Sequence, residues 1–137
     1  MVMAKKISFD LVSPERLLLS GDAEMITLPG SEGYFGVGIG HAPVISTLKP
    51  GMIDIKAGPK GDERYFVMAG FAEVTNDKTT ILAEEALLLT SLSLQDVERR
   101  LKDAHEDVLQ AKSEATRQKA VATLNALELL QSQLSTR

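Results

Sequence analysis

The sequence contains no cysteine, and this absence excludes several kinds of site at once. A chain without thiols has no disulfide, no thiolate zinc ligand and no cysteine nucleophile. The N-terminus lacks the long apolar run and the small-residue cleavage site of a secretory signal. The most apolar window, residues 86–94, is much shorter than the roughly 20 residues that a membrane-spanning helix needs. These absences predict a soluble protein of a reducing compartment.

Basic residues are also in short supply, because 15 Lys and Arg stand against 19 Asp and Glu, for a net charge of −4. A nucleic-acid-binding surface needs a basic face and usually a high pI. A segment that binds an anionic membrane directly needs basic residues on the polar side of an amphipathic helix. The sequence has neither pattern, so it predicts no nucleic-acid partner and no direct attachment to a membrane.

Glycine and proline are missing from residues 71–137, although the whole chain has ten glycines and five prolines. Both residue types mark turns and are costly inside helices, so the two parts of the chain should differ in secondary structure. The boundary is predicted at residues 88–93. It divides the chain into a first domain of residues 1–88 and a second domain of residues 89–137.

The first domain contains short segments of alternating or β-branched residues that are separated by turn signals. Strands at this spacing, joined by short turns, predict an antiparallel sandwich or barrel. The segment KAGPKGDERYF predicts a hairpin. The predicted strands are ISFDLV, AEMITL, MIDIKA, RYFVMAG, AEVT and TTILA, and VIST is β-like as well.

The second domain has a helical period. Ser93 and Asp96 have the spacing of a capping box at the start of a helix. Two apolar stripes follow, and the second is shifted from the first by two residues, a rotation of about 200°. One straight helix would carry the stripes on opposite faces, whereas a hairpin would bring them together. They are Leu94, Val97, Leu101, Ala104, Val108 and Ala111, and then Ala120, Leu124, Leu127, Gln131 and Leu134.

The break between the two helices is predicted at residues 112–116, with Ser113 as the N-cap of the second helix. No glycine or proline forces a turn there. A hairpin and an extended pair of helices are therefore both accessible.

The segment PGSEGYFGVGIGHAP, residues 29–43, is rich in glycine but does not have the pattern of a phosphate site. It lacks the G-K-[ST] of a phosphate-binding loop and the helix that follows a dinucleotide fingerprint. We interpret it as a loop whose glycines serve tight turns and close approach of the backbone in a β domain. The two histidines, His41 and His105, lie in different domains without clustered ligands, and no serine has the context of a nucleophile. The sequence predicts neither a metal site nor a catalytic residue.

Five segments, in this order, closely resemble the epsilon subunits of bacterial F-type ATP synthases, whose mitochondrial counterpart is called delta. The resemblance covers residues 5–88, whereas the second domain matches only in length, polarity and two-helix pattern. The segments are SPERLLLSG, LPGSEGYFGVGIGHAP, LKPGMIDI, FVMAGFAEVTND and TILAEEA.

The resemblance implies an N-terminal antiparallel β-sandwich of about ten strands and a C-terminal two-helix hairpin. It implies a non-catalytic rotor subunit of the central stalk that packs against the gamma subunit and meets the c-ring. Such a subunit couples ring rotation through gamma to the catalytic head, on the cytoplasmic side of the bacterial inner membrane and peripheral to it. It is not an enzyme by itself.

The resemblance also implies site residues. In the family, the loop that matches residues 29–43 faces the c-ring, so the matching positions become candidate contacts. Alternatively, GHAP only shapes the end of the sandwich. The contact candidates are Ser31, Glu32, Gly33, His41, Ala42 and Pro43.

The helical domain of the family regulates ATP hydrolysis by lying folded on the sandwich or extending along gamma to the alpha and beta subunits. Some members bind ATP through an [IL]-D-x-x-R-A motif at the first helix. Here Asp96 and Arg99 match, whereas Gln95 and Arg100 depart. Asp96 is equally explained as the capping acid and Arg99 as a solvated residue. The resemblance implies no required cofactor and, at most, weak regulatory binding of ATP.

An adaptor with a helical tail is the alternative function. In that case the two apolar stripes would form an intermolecular coiled coil, and the isolated protein would be a homodimer.

Overall fold

The computed structural model describes residues 5–135. These residues form two compact units, one ending at Leu88 and the other beginning at Leu89. Each unit has its own type of secondary structure, as the distribution of glycine and proline predicted. The first is built from strands and the second from helices.

The first unit contains ten strands among the described residues, which confirms the predicted number. Their order along the chain is β1 (Ile7–Val12), β2 (Leu17–Ala23), β3 (Met25–Gly30), β4 (Gly33–Val37), β5 (Val44–Leu48), β6 (Gly51–Gly58), β7 (Gly61–Val67), β8 (Gly70–Val74), β9 (Lys78–Ala83) and β10 (Ala86–Leu88). The short alternating or β-branched segments between turn signals predicted β1, β3 and β5 to β9. They did not predict β2, β4 or β10.

The strands are hydrogen-bonded in the order β10-β7-β6-β3-β5-β8-β9-β1-β2, and β4 pairs with β3. The link between β3 and β5 is a single pair, Gly30 with Leu48. This narrow link divides the strands into two layers, one with β10, β7, β6, β3 and β4 and the other with β5, β8, β9, β1 and β2. Together they form the predicted β-sandwich.

One strand pairing differs from the antiparallel prediction. β1 and β9 run parallel, from Ser8 opposite Lys78 to Val12 opposite Leu82. Eight other pairings of the described strands are antiparallel. Parallel neighbours need a long connection, and here the connection consists of the seven strands between β1 and β9. Local sequence patterns do not report a contact between such distant segments.

The sandwich core consists mainly of aliphatic side chains, together with Phe9 and Tyr65, and Phe35 packs against it. Phe9 and Leu11 of β1 are fully buried, and the residues between and beside them face outward, as the two-residue period of a strand requires. Residues from both layers belong to the same buried cluster, including Ile26, Ile53 and Ile81. Burial of this apolar surface is the main force that holds the layers together.

The predicted hairpin in the first unit is present between β6 and β7. Gly58 pairs with Gly61 across a two-residue turn. Ala57 adopts a positive φ of 52° at an irregularity in β6, and its N–H donates a hydrogen bond of 2.8 Å to Oδ1 of Asp62.

The second unit is a helical hairpin preceded by a single 3-10 turn, Leu89–Ser91. Its helices are α1 (Leu94–Gln110) and α2 (Glu114–Ser135), and they pack against each other. Ser93 is the N-cap of α1, and its hydroxyl accepts a hydrogen bond from the N–H of Asp96. Ser113 caps α2 in the same manner through the N–H of Thr116, at 3.1 Å. Both predicted helix starts and the predicted break are therefore confirmed.

The packed faces of the helices follow the two predicted stripes with two exceptions. Leu94 is 43% exposed, so it does not belong to the packed face, and Ala111 is the C-cap residue that follows α1. On α2 the buried face is wider than the predicted stripe, because Ala126 and Leu130 are buried beside it. The buried residues of the hairpin are Val97, Leu101, Ala104, Ala126, Leu127, Leu130 and Leu134.

Candidate docking surface

Residues 29–43 do not form one loop, and that interpretation of the glycine-rich segment was wrong. The segment contains the end of β3, a two-residue turn, all of β4 and the connection to β5. Five consecutive pairs, from Ile26 with Val37 to Gly30 with Gly33, join β3 and β4. Glycine lowers strand propensity, but this pairing with β3 outweighs it. The six candidate contacts lie in the turn, at the first residue of β4 and in the β4–β5 connection.

The turn between β3 and β4 is tied to the start of β6 through Tyr34. The hydroxyl of Tyr34 accepts a hydrogen bond of 3.0 Å from the N–H of Met52. A Cβ atom at Gly51 would lie 2.6 Å from the same oxygen and 2.9 Å from Cβ of Pro29. Only glycine fits at such a close approach. The segments LPG and KPG are therefore parts of one structural unit, although 18 residues lie between them.

The β4–β5 connection, residues 38–43, is held by bonds within itself. The N–H of His41 donates to the carbonyl oxygen of Gly38 at 3.2 Å. The Nδ1 atom of His41 lies 2.6 Å from the carbonyl oxygen of Ala42. Its ring also lies beside that of Phe35, with 6.2 Å between ring centroids and a tilt of 38°. The connection thus has a defined shape without helix or strand.

The structure brings four of the six candidate contacts together around one cavity. Residues 31–33 and His41 line a single cavity of about 550 Å³, together with Tyr34, Phe35 and Ile45. Ala42 and Pro43 follow His41 directly and are exposed. Five of the six candidates are exposed, and His41 is half-buried.

A second surface feature, which the sequence reasoning missed, is an apolar patch on one layer of the sandwich. Ile45 is 63% exposed, Phe71 41% and Leu82 43%, and they lie on the neighbouring strands β5, β8 and β9. Phe71 is paired directly with Leu82. Alternate residues such as Ala72 and Ile81 are fully buried, so the three exposed side chains lie on the outer side of the layer. We call these three residues the apolar patch.

The apolar patch and the cavity are continuous, because Ile45 belongs to both. On the other side, polar contacts between β2, β1 and β9 border the patch. Asp10 bonds to Nζ of Lys78 at 2.7 Å and to the hydroxyl of Ser20 at 2.6 Å. Lys78 first and then Ser20 lower the pKa of the Asp10 carboxyl, because each stabilises its charged form. The outer side of this layer therefore has an apolar region next to a paired, charged region.

The two residues that match the ATP motif contact each other. The guanidinium of Arg99 lies 2.6 Å from Oδ1 of Asp96, and both side chains are substantially exposed. The hydroxyl of Ser93, followed by the backbone of Ser93, lowers the pKa of the Asp96 carboxyl, and the nearby arginine charges contribute less. This geometry completes the predicted capping box. It also leaves both residues with partners.

The described residues contain no group of three or more histidine, aspartate or glutamate side chains that could hold a metal ion. Within residues 5–135, no helix has both the length and the apolar character to cross a bilayer. The two prominent features of the described surface are the apolar patch and the adjoining cavity.

Comparison with known proteins identifies the family. Residues 6–89 match the family described as "ATP synthase, Delta/Epsilon chain, beta-sandwich domain". The chain belongs to the ATP synthase epsilon-chain family. The match covers the whole sandwich and confirms the resemblance that the five sequence segments indicated.

Curated relatives extend the similarity beyond the sandwich. The ATP synthase epsilon chain of Parvibaculum lavamentivorans is 47% identical over 128 residues, with 93% of this chain and 97% of the relative covered. The epsilon chain of Rhodospirillum rubrum is 46% identical, with 93% and 96% covered. These relatives confirm that this protein is one subunit of a synthase and not an enzyme by itself.

Solved structures show the same fold. The similar chain in the mitochondrial ATP synthase of Euglena gracilis, a structure of OSCP, F1 and c-ring, has a TM-score of 0.76 and 26% identity. It covers 98% of this chain, and 84% of the Euglena chain is matched. A chain of the Tetrahymena thermophila central stalk and c-ring structure matches with a TM-score of 0.69 and 15% identity, which supports the fold alone. Both coverages there are near complete, at 97% and 99%.

Proposed function

We propose that this epsilon chain is a rotor component of the central stalk of a proton-translocating F-type ATP synthase. It binds the gamma subunit and the c-ring and transmits ring rotation through gamma to the catalytic head. It is peripheral to the cytoplasmic side of the bacterial inner membrane, and its attachment there is through the complex. The family membership and the similarity to a chain in an F1 and c-ring structure support this proposal.

The observation that carries the proposal is the apolar patch. Exposed apolar side chains on adjacent strands mark an interaction surface when they form a contiguous group. Phe71 and Leu82 are paired directly on β8 and β9, and Ile45 lies diagonally across from Phe71 on β5. The gamma subunit is its proposed occupant, because the family places gamma against the sandwich. The paired Asp10 and Lys78 beside the patch provide a polar border, as interfaces commonly have.

Substitution of Phe71 tests the gamma contact. We expect Phe71→Ser to weaken the affinity of the full-length chain for purified gamma subunit by about tenfold to a hundredfold, because an aromatic side chain near the centre of an interface contributes strongly to binding. Calorimetric titration of gamma into the variant measures this loss.

Met25→Ser is the matched control, because Met25 is a 44% exposed apolar residue on β3, in the other layer. It should bind gamma as the unaltered chain does. Equal affinity of the Phe71→Ser and Met25→Ser variants would contradict the assignment of the patch.

The proposed contact for the c-ring consists of the turn between β3 and β4 and the β4–β5 connection. The exposed residues Ser31, Glu32 and Gly33 of the turn and Ala42 and Pro43 of the connection would contact its polar loops. Both segments are short and internally bonded, so they lose little conformational entropy when they dock. Their position around one cavity gives a partner loop a place to enter.

The proposal includes no required cofactor, and weak regulatory binding of ATP at Asp96 and Arg99 stays a prediction. A nucleotide phosphate would have to compete with Asp96 for Arg99. We therefore expect a calorimetric titration of ATP to give weak binding at most, and Arg99→Ala to abolish whatever binding is found. Unchanged ATP binding by the Arg99→Ala variant would place any nucleotide site elsewhere.

The helical hairpin is the proposed regulatory unit, and it reaches the alpha and beta subunits to impede ATP hydrolysis. The alternative function, an adaptor that dimerises through its helices, has less support, because α1 and α2 bury their apolar stripes against each other within one chain. Sedimentation of the isolated protein separates the two. The rotor subunit should be a monomer, whereas the adaptor should be a dimer.

A further inference from the structure

His41 differs from its neighbours in the β4–β5 connection. Ile39 is 61% exposed, and Gly40, Ala42 and Pro43 are exposed as well. His41 itself is half-buried. A residue whose only task was to contact a partner would be expected among the exposed positions.

The hydrogen bond of the His41 ring defines its tautomer. Nδ1 lies 2.6 Å from the carbonyl oxygen of Ala42, and a carbonyl oxygen can only accept. The proton must therefore be on Nδ1, which donates. The main-chain N–H of His41 donates as well, to the carbonyl oxygen of Gly38. His41 thus bonds to the main chain both before it, at Gly38, and after it, at Ala42.

The ring also joins the connection to the sandwich. It lies 6.2 Å from the ring of Phe35 in β4, a distance typical of interacting aromatic pairs. Phe35 in turn packs against the sandwich core. The position of the connection is therefore fixed relative to β4.

His41 stands between two cavities. On one side is the cavity of about 550 Å³ with residues 31–33 and Ile45. On the other side is a cavity of about 520 Å³, lined among others by Ile39, Val74 and Lys78. Among the described residues, only His41 lines both of them. Its side chain therefore contributes to the shape of both recesses.

From this geometry we infer that His41 is a positioning residue for the docking surface. It holds the connection through its Nδ1–H bond and its Phe35 contact, and the c-ring contacts Ile39, Ala42 and Pro43 rather than the imidazole. This inference rests on the proposed c-ring contact and adds Ile39 as an apolar anchor. It predicts that docking depends on a donor at the Nδ1 position and not on an imidazole charge.

Three substitutions separate positioning from direct contact. The amide nitrogen of asparagine can occupy the place of Nδ1, so His41→Asn keeps a donor toward the Ala42 carbonyl. The longer glutamine places its amide nearer the position of Nε2, so His41→Gln keeps a group for direct contact but loses the local bond. His41→Ala loses both. Each variant of the full chain is purified as a complex with gamma and titrated with detergent-solubilised c-rings.

We expect His41→Asn to bind c-rings within about threefold of the unaltered complex, and His41→Gln and His41→Ala to lose about tenfold in affinity. Nitrogen-15 NMR of the isolated chain should show a protonated Nδ1, and amide shifts of Gly38 and Ala42 should be retained only in His41→Asn. Retained affinity in His41→Gln together with loss in His41→Asn would overturn the inference, as would full affinity in His41→Ala.

The NMR measurement also separates this inference from the proposed function. If the unaltered complex does not bind c-rings, the c-ring contact is wrong, but the NMR spectra still test whether His41 holds the connection. An unprotonated Nδ1 in the isolated chain would overturn the positioning role irrespective of any partner.

Discussion

At Gly70 the backbones of β8 and β9 approach so closely that no side chain fits between them. A Cβ atom there would lie 2.4 Å from the carbonyl oxygen of Leu82 and 3.2 Å from Cα of Ala83. Both atoms belong to the backbone of β9, so relief would require a shift of the strand pairing that positions Phe71 and Leu82. Gly70, the glycine of the segment FVMAGFAEV, is therefore required for the strand pairing that forms the apolar patch.

We expect Gly70→Ala to lower the free energy of unfolding by about 2 kcal/mol, the usual cost of forcing an extra group into a packed site. A fall in the midpoint of urea unfolding with an unchanged slope measures this. Gly36→Ala is the control, because its Cβ would meet the flexible end of the Met25 side chain at 3.2 Å. Equal urea midpoints for the two variants would contradict this expectation, because they would mean that β9 can shift away from the added methyl group at little cost in stability.

At the scale of elements, the sequence predicted a strand or a helix start correctly where the residues of that segment are themselves typical of the element. The alternation in β1 and the capping residues Ser93 and Ser113 are local, and the structure has each of them as predicted. β4 was not predicted, because its glycines have low strand propensity and the strand is stabilised by pairing with β3. β10, with only three residues, likewise depends on β7. Neither strand could be predicted from its own residues, because each depends on pairing with another strand.

The helical hairpin gives a test at the same scale. Leu101 is buried on the face where α1 packs against α2, whereas Leu109 of the same helix is 84% exposed. We expect Leu101→Asp to destabilise the hairpin by about 3 kcal/mol, because it leaves an uncompensated charge in an apolar contact. Hydrogen exchange of the α1 amides should accelerate accordingly.

Leu109→Asp is the matched control for that experiment. It introduces the same charge into the same helix at a position exposed to solvent, so its exchange should stay close to that of the unaltered chain. Similar exchange in both variants would contradict the packing of the two helices.

At the scale of the whole molecule, the candidate site was predictable only in part. The segments that carry the family resemblance led to the turn at residues 31–33 and to His41, which the fold brings to one cavity. The apolar patch was missed because Phe71 and Ala72 are both apolar. A single sequence does not tell which of two neighbouring apolar residues faces the core, and only the pairing of β8 with β9 assigns Phe71 to the outside.

The division into two units leads to a prediction about regulation. Every residue of the buried sandwich cluster precedes Leu89. We therefore expect a chain that lacks residues 92–137 to keep its sandwich and its docking surface. In the assembled synthase, this deletion should raise ATP hydrolysis severalfold while proton-driven ATP synthesis continues, because the proposed inhibitory contact with the alpha and beta subunits is lost.

Two measurements on the assembled synthase separate the roles of the units. The deletion variant should release hydrolysis without loss of coupling, whereas Phe71→Ser should impair assembly and coupling and leave the helices intact. Hydrolysis that is unchanged by the deletion would reject the regulatory role of the helical unit alone. Loss of synthesis in the deletion variant would instead mean that the helices also transmit torque, because the docking surface of the sandwich remains complete without them.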